Sequence, residues 1–291
     1  MQNLEMWQGA IVDKIMEKYI VPDIEAGYEL DLPAYINEAE ELARNRFNYS
    51  EKKYYQYEGL TKTASGDDFC VLDIHEIGKD WEPEDFENGL SVIRTAILNF
   101  PRIFMPDGRT LLVDYLYAAN KLLPNVTTWQ AIVENALVKP QIDLAIFDEY
   151  WKPAIIDWKV SDSYGSDYEK QLFIIALVVY LTRLEKKDKP AYKHSDIKLF
   201  EVNLLGSIVK QHRFTEEEAA DLIDHINLTT GDVKLIKAEN DGCIDASRFS
   251  TTDNHNSCMI CNFRMLCGFL TRNKFQYDEK SYTQFIQDTK Y

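Results

Sequence analysis

The chain has 291 residues, and its 48 Asp and Glu against 32 Lys and Arg give a formal net charge of −16. Hydrophobic residues make up 45% of the chain and aromatic residues 12%, which is enough for a packed core and argues against a chain disordered throughout. The acidic balance disfavours a protein that binds nucleic acid through bulk charge, but it leaves room for a local basic groove or for a partner that holds the nucleic acid.

We expect neither an export signal nor a membrane span. Segment 1–20 lacks a basic stretch followed by a continuous apolar run, and its apolar residues recur at helical spacing instead. The longest apolar run, Leu172–Leu181, is about half the length that a bilayer requires. These features predict a cytoplasmic protein with no membrane partner. In that compartment, three of the five cysteines clustered near the C-terminus indicate a metal site before disulfides.

In the first half of the chain, apolar residues recur at spacings typical of helices. The predicted helices cover most of 1–58, then 83–100, 111–123 and 127–137, while the mixed β-branched and apolar segment 69–77 predicts a strand. Pro33 is suited to the first turn of the second helix. Residues 1–60 are therefore predicted to form a helical N-terminal region.

The periodicity changes after residue 140. The elements predicted there are strands at 141–147 and 154–160, an apolar helix at 167–184, a hairpin of 197–205 with 208–214, a helix from 215 to about 226 and a helix after 282. Together they predict an α/β fold with a mixed central sheet flanked by helices. The 142–147 and 154–160 hairpin forms its core, and the 167–184 helix packs across the sheet. The core is predicted to span 61–235, and the mostly irregular segment 236–291 to pack on it.

The central hairpin carries two acids and a lysine. Side chains alternate along a strand, so Asp157 and Lys159 project from one face and Trp158 from the other. A hairpin centred on the 148–153 connection places Asp143 opposite position 158, within about one residue of Asp157. Two carboxylates and an ammonium are therefore expected to converge at one spot.

That spot suits a hard divalent cation. Mg²⁺ prefers oxygen ligands and keeps several waters, so Asp143, Asp157 and the main-chain carbonyl of Trp158 can hold it. Lys159 can hold and polarise the attacking water, and the metal can stabilise charge on a phosphoryl oxygen. This equipment indicates metal-assisted phosphodiester hydrolysis. The alternative is a surface ion pair at a strand end.

These residues resemble the pattern of the RecB-like branch of the PD-(D/E)XK nuclease superfamily. Asp143 matches the first acid of that pattern, Asp157 and Lys159 match the second acid and the lysine, and Gln171 matches a glutamine in the following helix. The resemblance implies a restriction-endonuclease-like core and a deoxyribonuclease that uses Mg²⁺ or Mn²⁺. It also implies catalytic roles for these four residues.

The sequence departs from that branch at two points. The family glutamine commonly opens Gln-Leu-x-x-Tyr, and Ile175 stands where the tyrosine would be. Relatives also carry a histidine on an upstream helix in a Gly-x-x-x-His context, whereas the candidate helix here has Gly89 with Arg94 nearby and no histidine. Glu87 on that helix could supply the helix carboxylate that the superfamily often uses, or it could belong to a solvated helix face.

The second signal is Cys258-x2-Cys261-x5-Cys267. Closely spaced thiolates bind Zn²⁺ or an iron–sulfur cluster, and three ligands leave one missing. Candidates for the fourth are Cys70, which lies outside the cluster, and its competitors Cys243 and His255. The alternative is a set of free buried cysteines.

The cysteine spacing is similar to that of the iron-staple nucleases, which include AddB-like and CRISPR-adaptation nucleases. In these, one cysteine precedes the nuclease motifs and three follow as Cys-x2-Cys-x5-Cys. Cys70, Cys258, Cys261 and Cys267 fit that order. The resemblance implies a structural [4Fe–4S] cluster, which ligand spacing alone does not separate from Zn²⁺.

Two functions from different classes remain. The first is an active DNA nuclease in repair, recombination or phage defence, working alone or with a helicase or other subunit that supplies DNA affinity. The second is a catalytically weak or inactive nuclease-like scaffold in a larger DNA-processing complex. Segment 183–198 has six Lys or Arg against three acids, with Tyr192 and His194 among them. It is either a DNA-facing loop or a polar connection.

Overall fold

The computed structural model describes residues 1–76, 81–161, 168–186, 188–238, 252, 258, 261, 263–274 and 277–288. Two compact units divide the chain, Gln2–Asn227 and Leu228–Tyr291, the latter together with Met1. The domain boundaries predicted at residues 60 and 235 stay predictions.

The helices before the sheet are α1 Leu4–Ile15, α2 Val21–Ala26, α3 Leu32–Glu51, α4 Lys62–Ser65, α5 Asp73–Glu76, α6 Pro83–Asn99 and α7 Leu112–Tyr117. The remaining elements are β1 Lys121–Val126, β2 Ala131–Val133, β3 Ala136–Val138, β4 Ile142–Phe147, β5 Pro153–Lys159, α8 Tyr168–Leu184, β6 Lys198–Asn203, β7 Ile208–His212, α9 Glu216–Ala238, α10 Arg264–Arg272 and α11 Glu279–Asp288. Within the described residues, no helix has both the length and the apolar character needed to cross a bilayer.

The first three helices follow directly from local sequence chemistry. The Asn3 side chain caps α1 by accepting the Met6 N–H at 2.7 Å, and Asp31 caps α3 with Pro33 in its first turn, as predicted. A π-helical turn, Met16–Ile20, joins α1 to α2. Gly27, with φ of 77°, ends α2 in the left-handed conformation that glycine adopts without a steric cost.

A five-stranded sheet forms the centre in the order β1-β4-β5-β6-β7. The β5–β6 pair is parallel and the other neighbours are antiparallel. Helix α8 supplies the long crossover that a parallel pair requires. The prediction of an α/β fold with a mixed central sheet flanked by helices is confirmed.

Both faces of the sheet are covered, because successive strand residues alternate between two apolar clusters. Ile156 and Phe200 belong to the cluster that contains the buried residues of α1, α3 and α6. Ile155 and Leu199 belong to the cluster that contains Ile175 and other residues of α8. Asp157 and Lys159 have the same parity as Ile155 and therefore face the α8 side.

Segment 69–76 is not the predicted strand. Leu72 makes a single bridge with Gln2, and its N–H donates to the Ser50 hydroxyl at 2.7 Å instead of to a neighbouring strand. The chain then turns into α5 at Asp73. Residue 77, the end of the predicted strand, lies outside the described residues.

The helices predicted at 111–123 and 127–137 are largely wrong. Helix α7 ends at Tyr117, and the apolar residues that follow belong to β1, an edge strand that tolerates Pro124. The next segment is the β2–β3 hairpin, whose β2 side chains alternate between buried and exposed. Glu134, with φ of 52°, lies in its turn. In apolar runs this short, the spacing of the apolar residues does not distinguish a helix from a strand.

The later elements agree more closely with the sequence. Strands β4 to β7 and helix α8 occur where they are predicted within the described residues, whereas α9 continues to Ala238, well past the predicted end near 226. In the C-terminal unit, α10 occupies part of the segment expected to be irregular. Its Phe269 is buried, and its ring lies 6.2 Å from that of Tyr277 and 5.2 Å from that of Tyr282.

We predict that Gly89→Ala destabilises the protein. A Cβ added at Gly89 would lie 2.7 Å from Cζ3 of Trp7, whose ring is fully buried and cannot move aside. Overpacking of this kind costs about 1–3 kcal/mol, which exceeds or cancels the gain of about 1 kcal/mol in helix propensity. The measurement is the free energy of unfolding in urea.

The matched control is Gly9→Ala in α1, where an added Cβ meets nothing within 4 Å. This variant should be more stable than wild type by about 0.5–1 kcal/mol. Equal stabilisation by both substitutions would contradict the close approach of α6 to Trp7.

Candidate active site

The β4–β5 hairpin brings Asp143 and Asp157 together. Leu144 pairs with Ile156, so continuing the register places Asp143 opposite Asp157, not opposite position 158 as the sequence predicts. The one-residue difference arises in the turn, where Trp151 has φ of 59° and the hairpin closes between Phe147 and Pro153. Residues directly opposite each other share a face of the sheet, so the two carboxyl groups meet.

The backbone at Trp158 is part of this site. Its N–H donates to Asp143 Oδ2 at 3.0 Å, so a carboxylate replaces the main-chain carbonyl that would continue the strand pairing. The N–H and C=O of a strand residue point to the same edge, and the carbonyl of Trp158 therefore also faces the Asp143 strand. The indole lies on the opposite face, with its ring 6.0 Å from that of Phe100.

Each oxygen of Asp157 has its own partner. Lys159 Nζ lies 2.5 Å from Oδ2, and the Gln171 side-chain amide donates to Oδ1 at 3.2 Å. Lys159 is itself held over the ring of Tyr168, 4.1 Å from the ring centre, in a cation–π contact. Tyr168 and Gln171 are three residues apart on α8, so one helical turn positions both the lysine and the carboxylate.

Helix α1 contributes a third acid, Asp13, which the sequence analysis missed. Its carboxyl group is accessible to solvent, yet the surrounding protein displaces enough water to raise its pKa to about 8, with further contributions from the charges of Asp143 and Asp157. Asp13 follows the buried Val12 on an ordinary amphipathic helix, and nothing in the neighbouring sequence indicates that it belongs to an active site. It reaches the aspartate pair only through tertiary packing.

The pKa values of the hairpin acids are raised as well. Burial raises the pKa of Asp143 to about 6, helped by the charge of Asp157 and opposed by the Trp158 N–H. Burial also raises the pKa of Asp157, opposed by Lys159. Each carboxyl group contributes to the pKa shift of the other. When two carboxyls are this close, the charge of one opposes ionisation of the other.

A second polar pair adjoins Asp157 on the next strand. Glu201 of β6 is the register partner of Asp157 and is buried. Its Oε2 lies 3.0 Å from Nε2 of the buried His212, and His212 Nδ1 lies 3.1 Å from Glu169 Oε1. The sequence analysis missed this pair too, because its members come from different strands and form no local motif.

The structure places Glu87 away from these residues. It is exposed on α6 and lines a groove with Arg44, Phe47 and Trp81. Among the described residues, Asp13 is a helix acid whose pKa is raised by the charges of Asp143 and Asp157.

The cysteines fall into both units of the chain. Cys70 belongs to the first unit and is buried, and burial raises the pKa of its thiol to about 11. Cys258, Cys261 and Cys267 belong to the second unit and are free thiols, the last two exposed. Within the described part of the chain, no three His, Cys, Asp or Glu side chains form a group that encloses a metal ion. Cys243 and His255 lie outside that part, so the fourth ligand stays a prediction.

A comparison with protein families matches residues 2–268 of the chain to the PD-(D/E)XK nuclease superfamily. The chain therefore belongs to this superfamily, and the matched range includes α1 with Asp13 as well as the hairpin. A search of curated proteins found no significant match.

The raised pKa values predict how stability depends on pH in the absence of divalent cations. The folded pKa values are about 8 for Asp13 and about 6 for Asp143, whereas an unperturbed aspartate has a pKa of 3.8. The folded chain therefore binds more protons than the unfolded chain between these values. Stability from these groups is present below pH 4 and is lost as pH rises to 8. We expect Asp13→Asn to remove the loss between pH 6 and 8, measured by urea unfolding in EDTA.

The control for this profile is Asp107→Asn. Hydrogen bonds from Thr110 and Arg109 lower the pKa of Asp107 to about 2, so this variant should lose stability by a similar amount at every pH above 5. A profile of Asp13→Asn that runs parallel to wild type between pH 6 and 8 would contradict the assigned environment of Asp13.

Proposed function

We propose that the protein is a metal-dependent nuclease that hydrolyses DNA phosphodiester bonds at Asp143, Asp157 and Lys159. One observation carries the proposal. The strand register places Asp143 opposite Asp157, and a lysine ammonium lies 2.5 Å from Asp157, in a chain of the PD-(D/E)XK nuclease superfamily. A simple surface ion pair would not bury Asp157 at the end of a sheet covered on both faces.

The donor set fits Mg²⁺ or Mn²⁺. Asp143, Asp157 and the Trp158 carbonyl would hold the ion, and because Mg²⁺ keeps several waters, three protein oxygens are enough. The raised pKa values of both acids support this, since a cation would offset the repulsion and the loss of water that raise them. When bound, the ion supplies Lewis-acid polarisation of a phosphoryl oxygen and a lower pKa for its water.

The side chains around the pair divide the remaining work. The Lys159 ammonium, steadied by Tyr168, would orient the attacking water and offset charge that develops on the phosphoryl oxygens. Gln171 is a positioning residue, because its amide fixes one oxygen of Asp157 and leaves the other to Lys159. Asp13 is a third carboxyl group whose pKa rises to about 8 beside this pair, so a bound cation would favour its ionised form.

A finer assignment is the RecB-like, iron-staple branch. In this proposal Cys258, Cys261 and Cys267 hold a structural [4Fe–4S] cluster with Cys70 as the fourth ligand, and Zn²⁺ is the alternative metal. The spacing of the three cysteines supports it, as does their order in the chain, with Cys70 ahead of the hairpin and the other three after it. A role in repair, recombination or phage defence, with a helicase or other subunit that supplies DNA affinity, accords with the net charge of −16.

The second candidate function is a nuclease-like scaffold subunit without strong activity. The net charge of −16 and the missing upstream histidine favour it. The absence of the helix tyrosine is weaker support for the scaffold. Ile175, which stands at that position, is buried against the sheet, where a side chain could not reach DNA.

Variants of the cluster test the nuclease proposal. We expect Asp157→Asn and Lys159→Met each to lower the cleavage rate by about 10²–10³, and the double variant to fall far short of the product of the two effects. Asp157→Asn should also abolish stabilisation by Mg²⁺, whereas Lys159→Met should keep it. Gln171→Ala should have a milder effect. The assay is cleavage of plasmid and single-stranded DNA with a titration of Mg²⁺ and Mn²⁺.

Lys121→Met is the matched control, since Lys121 also forms an ion pair, with Glu25 at 2.5 Å, but on an exposed surface. It should cut at the wild-type rate. Wild-type protein that never cuts DNA with either metal would favour the scaffold, and cluster variants that cut as fast as wild type would remove the site.

The cysteine proposal has its own measurement. Protein purified without oxygen should contain iron and absorb visible light, and Ser in place of Cys70, Cys258, Cys261 or Cys267 should lower iron content and destabilise the C-terminal segment. Cys243→Ser is the control and should retain the metal. Zinc in place of iron would select the alternative metal, and protein without either would contradict the proposal.

A further inference from the structure

A groove at the far end of the central hairpin combines aromatic and basic side chains. It lies where β4 ends and β5 begins, at the opposite end of these strands from Asp143 and Asp157, and it has a volume of about 550 Å³. Its aromatic lining is Trp129, Phe147, Tyr150, Trp151 and Tyr192, and its basic lining is Arg183, Lys186 and Lys189.

The hairpin turn presents its aromatic residues to solvent. Tyr150 is 74% exposed and Trp151 is 55% exposed. Asp148 Oδ1 accepts the N–H groups of Tyr150 and Lys152 at 2.9 Å, and the Tyr192 hydroxyl donates to the Trp151 carbonyl at 3.0 Å. These contacts hold Trp151 in a left-handed conformation that a residue with a side chain rarely adopts. The turn backbone is thus fixed in a form that leaves two large rings exposed to water rather than buried.

Behind the turn, further rings extend the aromatic wall. The ring of Trp151 lies 6.0 Å from that of Phe147, and the ring of Phe147 lies 6.2 Å from that of Trp129. Ring separations of this size are typical of contacting aromatic pairs. The rings are inclined to one another by 45° and 65°, so the groove offers several apolar ring faces along one side.

The other side of the groove is positively charged. The Arg183 guanidinium lies 4.5 Å from the centre of the Tyr192 ring, and its Nε donates to the Pro190 carbonyl at 2.9 Å. Lys186 and Lys189 follow on the same rim, and no acid is among the described residues that line the groove. In a chain of net charge −16, this local concentration of cations selects an anionic ligand.

We propose that this groove binds an unpaired stretch of the DNA strand, stacking its bases on the aromatic wall and pairing its phosphates with the basic rim. Aromatic faces beside cations fit single-stranded nucleic acid, because only unpaired bases expose faces for stacking. A duplex could use the cations but not the rings. This inference rests on the proposed function, which makes DNA the ligand, and adds that the DNA bound in the groove is single-stranded.

The separation from the active site sets the geometry of the bound strand. Pro153 and Asp157 are four residues apart on β5, roughly 13 Å at the rise of an extended strand. At 3.4 Å per nucleotide, the rise of one strand in a duplex, this corresponds to roughly four nucleotides, and an extended unpaired strand would need fewer. A strand held in the groove would therefore reach the aspartate pair within a few nucleotides.

Binding is tested apart from cleavage by fluorescence anisotropy in EDTA, with a labelled 20-nucleotide oligothymidine and a blunt duplex as probes. Trp151→Ala should weaken oligothymidine binding about 5- to 150-fold, the range expected for the loss of one stacked base, and Trp151→Phe should restore most of it. In the double variant Lys186→Ala with Lys189→Ala, the slope of the logarithm of the binding constant against the logarithm of salt concentration should become shallower by about one to two. Duplex binding should not respond to Trp151.

The matched controls are Tyr57→Ala and Lys62→Ala, which remove an exposed aromatic ring and an exposed lysine outside the groove and should leave oligothymidine binding unchanged. Unchanged binding in both the Trp151 and the Lys186 and Lys189 variants would overturn the proposal. An equal loss of duplex and oligothymidine affinity in Trp151→Ala would overturn it too, because the ring would then play no part in selecting unpaired DNA. The lysine variants keep the test decisive if Trp151→Ala fails to fold.

The two proposals fail in different ways. Protein that binds oligothymidine through the groove but never cuts DNA would leave this inference standing and remove the nuclease function. Protein that cuts DNA with unchanged affinity in the groove variants would do the reverse. Groove variants that raise KM for single-stranded DNA without changing kcat would support both.

Discussion

The hydrogen bond from the Trp158 N–H to Asp143 holds the rest of the site in register. It ends the main-chain pairing of β4 with β5 one step early and substitutes a carboxylate for a backbone carbonyl. A buried N–H must find an acceptor, so this substitution ties the orientation of Asp143 to the path of β5. From that point Asp157 lies opposite Asp143, and Lys159 lies two residues further on the same face. A shift of one residue in either strand would turn one of the acids to the other face.

The two apolar clusters explain why such a shift does not occur. Ile156 and Ile155 are both fully buried, on opposite faces of β5, so a slip by one residue would exchange their environments and carry Asp157 into an apolar cluster. An unpaired carboxyl there would cost several kcal/mol. The core thus fixes the register, and the register fixes the site.

Sequence reasoning could reach this hairpin because its evidence is local. Two nearby apolar runs, with side chains that point alternately to the two faces of a strand, are enough to predict the sheet centre and to bring Asp143, Asp157 and Lys159 together. The segment from 111 to 138 misled it, since short apolar runs with a proline fit a helix start as well as an edge strand. Asp13 and the Glu201–His212 pair could not be found at all. Their positions depend on how separate elements pack, and no spacing in the chain encodes that.

The hairpin also separates two kinds of chemistry along one rigid pair of strands. At one end, two acids with raised pKa values create a strong demand for positive charge. At the other end, Trp151 and Tyr150 stay in water beside Arg183. Helix α8 connects the two, because its first turn supplies Tyr168 and Gln171 to the acids and its last turn supplies Arg183 to the groove. Any movement of α8 across the sheet would therefore change the position of Lys159 and the shape of the groove at the same time, and the burial of Leu172 and Ile175 against the sheet resists that movement.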